Sequence, residues 1–130
     1  MSIMKKFTSN TQKIGELGEN IACKFLVKRG FTIIDRNFTC KLGEIDVIAE
    51  KGSTLHFVEV KSMNMVHMKH GYRAEENVTL SKMQKIHRTV EIYLHSKKVS
   101  HETIAIDVLT VTLDTENKKS YVKLIENVIM

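Results

Sequence analysis

A chain of 130 residues, 42% of them apolar, can close around one packed core and has no length for two. Its formal charge of +5 and pI of about 9.2 suit a polyanionic partner, and equally suit a plain lysine-rich solvated surface. Aromatic residues make up only 6% and tryptophan is absent, which argues against base stacking on an aromatic platform as the main mode of recognition.

In chain order, Thr11 to Arg29 reads as an amphipathic helix, because Ile14, Leu17, Ile21, Phe25 and Leu26 recur at helical spacing. Thr8, Ser9 or Asn10 offers a cap, and Gly30 is placed to end the helix after Lys28 and Arg29. Short strands follow at Phe31 to Asp35, Leu42 to Glu50 and Leu55 to Lys61, the last two joined by a turn at Lys51-Gly52-Ser53. Ser62 to Asn77 has no sustained period and reads as a loop beside the charged strands. A second helix spans about Ser81 to Ser96 on a stripe of Met83, Ile86, Val90, Tyr93 and Leu94, with Thr79 or Ser81 as its cap. Strands at Thr103 to Leu113 and Ser120 to Ile125 complete an order of α-β-β-β-α-β-β in a single domain, residues 1–130.

Two distant cysteines, Cys23 and Cys40, make no disulfide framework and indicate a reducing compartment. No segment approaches the ~20 apolar residues of a membrane span, and Met1 to Phe7 carries basic residues with no apolar run behind them. The expectation is a soluble cytoplasmic protein with no membrane partner.

The chemistry concentrates at Gly43-Glu44-Ile45-Asp46 and Glu59-Val60-Lys61. Strand alternation puts Phe57, Glu59 and Lys61 on one face, with Glu59 and Lys61 ~6.5 Å apart at Cα. On the preceding strand it groups Glu44, Asp46 and Ile48 against Ile45, Val47 and Ala49. If the hairpin sets Asp46 near Glu59, two carboxylates meet and need a proton or a cation between them; Mg²⁺ or Mn²⁺ takes hard oxygen ligands of this kind. An isolated Glu-x-Lys on a strand is otherwise a weak surface ion pair. Helical geometry puts Glu19 at the border of the first helix's apolar face, either an ordinary flanking residue or an acid leaning over Asp46. Gly18 falls within that face, where a missing side chain lets the helix lie close to the sheet. Lys82, with Gln84 and Lys85, lies near the start of the second helix, where a lysine either holds a phosphate or covers the edge of the core. Asp107 interrupts an apolar strand and reads as structural, and His67 with His70 makes a weak metal pair with no further ligand nearby.

Gly15-Glu16-Leu17-Gly18-Glu19 with Ala22 and Leu26, then Arg36-Asn37, Gly43 to Ala49, Phe57 to Lys61, Gly71, Lys82 and Ile106-Asp107-Val108 together resemble the bacterial YraN-type family over nearly the whole chain. That family is similar to the PD-(D/E)xK restriction-endonuclease-like nucleases, especially archaeal Holliday junction resolvases. The resemblance implies an α/β fold with a mixed central sheet flanked by helices, and a metal-dependent endonuclease cutting DNA, branched DNA included. It implies Asp46 and Glu59 as metal ligands completed by Glu19, Lys61 polarising the phosphate or the attacking water, and a homodimer by analogy with the resolvases. Thr39, Met63 and Ala105 stand where that family commonly has arginine, which weakens phosphate binding because arginine grips phosphate through two bonds. The alternative is a non-catalytic DNA-binding or scaffold module in repair, recombination or uptake, working through a protein partner.

Overall fold

The computed structural model describes residues 3–65, 79–97 and 103–128, with side chains from Gln12 onward. Helix α1 (Ile3–Lys28) is followed by β1 (Thr32–Cys40), β2 (Gly43–Lys51) and β3 (Thr54–Asn64), then helix α2 (Leu80–Lys97), β4 (Thr103–Asp114) and β5 (Lys119–Ile125). The order is the one the periodicity predicts, and the sheet is mixed. Its five strands lie in sequence order, antiparallel except for β3 against β4. That parallel pair needs a long crossover, which contains α2.

Helix α1 covers one face of the sheet and α2 the other. Ala22, Leu26 and Phe31 pack with Val47, Ala49, Val58, Leu109 and Val111 in the first layer. Met83, Ile86, Val90 and Tyr93 pack with Ile45, Ile48, Leu55, Phe57 and Ile106 in the second. Tyr93 meets both Phe38 and Phe57 edge to face, at centroid distances of 5.0 and 5.6 Å.

Gly30 ends α1 as expected: at φ 92° it donates to Val27, while Phe31 N–H reaches back to the Leu26 carbonyl at 3.0 Å. This paired closure suits glycine, and Phe31 then joins the layer that holds Leu26. Gly52 turns the β2–β3 hairpin at φ 63°.

Several boundaries differ from expectation. Thr8, Ser9 and Asn10 lie inside α1 rather than capping it, since no proline or glycine from Ile3 to Asn10 interrupts the helix. Strand β1 runs on through Arg36 to Cys40, where polar residues at a sheet edge hide the period-two signal, and Ser62 to Asn64 extend β3 because β4 pairs with them. His67, His70 and Gly71 lie outside the described residues.

Ile45 is the one β2 residue whose layer departs from alternation. It packs with Ile48 on the α2 side, while Val47 and Ala49 pack on the α1 side. The break falls at Asp46.

Candidate active site at the opening of the β2–β3 pair

The β2–β3 pairing runs from Lys51–Thr54 to Val47–Val58, and the next step of the same register sets Asp46 opposite Glu59. There the Val60 N–H donates to Asp46 Oδ2 at 2.8 Å, so a carboxylate takes an amide that faces the neighbouring strand. Val58 and Val60 pack toward α1 and Phe57 toward α2, which turns Glu59 and Lys61 to the α2 side. Two lysines meet one oxygen there: Lys82 Nζ lies 3.4 Å and Lys61 Nζ 3.9 Å from Glu59 Oε1. Thr79 sets the position of Lys82, because its Oγ1 accepts the Lys82 N–H at 3.2 Å and caps α2.

Asp46 and Glu59 are both buried, at 7% and 9% exposure. Burial, and then the charge of Glu59, push the Asp46 carboxyl up to about 8 against the opposing pull of the Val60 amide. At neutral pH the pair therefore holds a proton unless another cation replaces it. Burial pushes the Lys61 ammonium below its ordinary value, and the neighbouring Lys82 adds to that. Burial also pulls on Lys82, but contact with Lys61 and the charge of Glu59 carry it above the usual lysine value.

Glu19 stands at the rim of this group. Arg36 on β1 reaches it, Nη2 lying 3.5 Å from Glu19 Oε1 while also donating to Asn20 Oδ1 at 3.0 Å. Among the described residues no three His, Cys, Asp or Glu side chains are grouped so as to hold a metal. Asp46 and Glu59 form a pair of hard oxygen donors whose mutual repulsion a divalent cation would relieve, and in donor chemistry they fit Mg²⁺ or Mn²⁺.

Gly18 brings α1 against this end of β3. A Cβ built there would lie 2.7 Å from Ser62 Cβ and closer still to its hydroxyl, so only glycine allows the approach. On the α2 side, a cleft of about 350 Å³ opens between β2 and the helix start, lined by Gly43, Glu44, Glu59, Thr79, Lys82 and Lys85. Gln84 is exposed on the same helix.

Asp107 is fully buried and lies apart from this group. It binds His56 Nδ1 at 2.6 Å and accepts the Asn127 N–H at 2.8 Å, the structural role its place in an apolar strand predicts. Sequence reasoning missed the Lys82–Glu59 contact, the Arg36–Glu19 contact and the left-handed backbone of Asn37, whose φ is 54°. The Arg36-Asn37 dipeptide was the available signal, and it showed no role.

The fold and this group define a small α/β domain in which two carboxylates and two lysines cluster where the central strands part. The model of "Uncharacterised protein family UPF0102" matches residues 18–111. A UPF0102 protein of Caldicellulosiruptor saccharolyticus is 37% identical over 118 residues, covering 91% of this chain and 98% of the relative. One from Clostridium botulinum is 38% identical over 118 residues, covering 88% and 91%, and one from Campylobacter jejuni is 43% identical over 100 residues, covering 77% and 84%. The chain belongs to the UPF0102, or YraN, family.

Proposed function

We propose that this protein is a metal-dependent endonuclease of the restriction-endonuclease-like type, hydrolysing phosphodiester bonds in DNA in the cytoplasm. The observation that carries the reading is the Asp46–Glu59 pair, buried where β2 and β3 part, with Lys61 on the same face as Glu59. A divalent ion bound by the two carboxylates, with Glu19 as a further ligand once released by Arg36, would supply Lewis acidity at the phosphoryl oxygens. Asp46 would have to give up its proton to hold such an ion, and the Val60 amide fixes the orientation of its carboxyl group. Lys61, its ammonium weakened by burial and 3.9 Å from Glu59, would orient an attacking water or donate to a phosphate oxygen as charge develops there. Lys82, Lys85 and Gln84 at the head of α2 would contact the DNA backbone, in keeping with the chain's excess of positive charge. A homodimer acting on branched DNA is part of the same proposal.

One observation favours a second reading, a DNA-binding or scaffold module without turnover that works beside a DNA-processing protein. Glu59 is held by two lysines and Glu19 by an arginine, an arrangement stable without a metal. Labelled single-stranded, duplex and four-way-junction DNA, incubated with Mg²⁺, Mn²⁺ or EDTA, separates the two. The endonuclease reading expects metal-dependent cutting that Asp46→Asn and Lys61→Ala abolish. Binding without cutting on every substrate would refute it in favour of the module.

A further inference from the structure

Two ammonium groups converge on a single oxygen, Glu59 Oε1, and they differ in their freedom to leave it. Lys61 lies on the same strand and is enclosed, with 17% of its side chain exposed, whereas Lys82 comes from α2 and is 36% exposed. Lys82 already lines the cleft, together with Glu59, Thr79, Ser81 and Lys85, so its ammonium can turn from Glu59 without leaving that space. Its position is electrostatically awkward: it sits in the first turn of α2, where the helix dipole disfavours a cation, and that turn contains no acidic residue. Glu59 is the carboxylate that holds it there.

We propose that Lys82 is the built-in counter-ion of Glu59, which a divalent cation must displace, and that its displacement presents the ammonium to an anionic substrate in the cleft. This rests on the reading of Asp46 and Glu59 as a metal site. A cation arriving at Glu59 Oε1 meets like charge from Lys82, so the two compete for one oxygen. With Glu59 neutralised by a cation, Lys82 would be free to turn away from it within the cleft that both line, where a phosphate group would receive its ammonium. Metal and phosphate binding are then cooperative through this one side chain.

The test is calorimetric titration of the metal-free 130-residue chain with Mn²⁺ alone. Lys82→Met should tighten binding about fivefold, as expected from releasing a part-exposed ion pair, and Lys82→Gln should do the same. Arg88→Met, which removes an equal charge from an exposed position on the same helix, should leave the affinity within about twofold. Unchanged or weaker binding in both Lys82 variants, or an equal gain in Arg88→Met, overturns the proposal. If Asp46→Asn abolishes binding while the Lys82 variants match the native chain, the metal site stands and the counter-ion alone falls. If neither the native chain nor the Lys82 variants bind Mn²⁺, both fall together.

Discussion

Asn37 stands across the sheet from Asp46. The pairs on either side, Arg36–Val47 and Phe38–Ile45, fix that register, and Asn37 has a left-handed backbone with φ 54°. Arg36 reaches Glu19 on the α1 side, whereas Phe38 and Ile45 pack on the α2 side, so both strands change layer at this one step. A local reversal re-aims a side chain without ending the sheet, and the side chain at the reversal is the carboxylate bound to the Val60 amide.

Replacement of Asn37 tests whether its backbone positions the site. Asn37→Gly should fold with native stability and bind Mn²⁺ normally. Asn37→Val should lose about 1–2 kcal/mol, the cost of a branched side chain in the left-handed region, and should weaken Mn²⁺ binding as Asp46 turns away. Urea denaturation and calorimetry on both variants provide the comparison.

Asp46 makes stability depend on pH with a definite sign. Its carboxyl titrates near 8 in the fold against an ordinary value of 3.8, so the native state keeps a proton that the unfolded chain releases. The contribution is full below the unfolded value and is lost as pH rises through about 8. Metal-free protein should therefore weaken from acidic to mildly alkaline pH. Asp46→Asn should flatten that slope, gain about 1–3 kcal/mol at its upper end and lose Mn²⁺ binding. A series of urea unfolding curves across this range would expose the opposite trend if it existed.

Gly18→Ala should cost about 1–3 kcal/mol, because the new Cβ meets Ser62. Ser62→Ala should not restore the loss, since the Cβ of residue 62 remains, whereas Ser62→Gly should restore part of it. Thermal denaturation of the single and double variants checks the pattern.

Much of this arrangement was legible in the sequence where it depends on local period. Met83, Ile86, Val90 and Tyr93 gave α2 and alternation put Glu59 and Lys61 on one face, whereas the meeting of Asp46 with Glu59 was only a condition on the hairpin register, which the structure meets. The glycine within the apolar face of α1 does let the helix approach β3. What the sequence hid depends on partners distant along the chain. Lys82 reaches Glu59 because the parallel β3–β4 crossover lays α2 over the site, and Arg36 reaches Glu19 because β1 passes beneath α1. Neither contact has a local signature. The change of layer at Asp46 contradicts simple alternation, and Asn37, which lies beyond the strand read from Phe31 to Asp35, gave no sign of it.

Asp107→Asn should destabilise the fold by about 2–4 kcal/mol while leaving Mn²⁺ affinity unaltered. The buried side chain gives one oxygen to His56 on β3 and the other to the Asn127 amide, and an asparagine side chain has one oxygen where aspartate has two. Urea denaturation and Mn²⁺ titration of the same sample separate the two effects.

A metal site at Asp46 and Glu59 would be seen outright by anomalous diffraction from crystals of the native chain soaked in Mn²⁺ above pH 8. A manganese peak is expected within direct coordination distance of both Asp46 and Glu59, with Lys82 withdrawn from Glu59, and it should vanish in Asp46→Asn. Crystals that carry manganese elsewhere, or none, with Lys82 still on Glu59, would contradict that expectation.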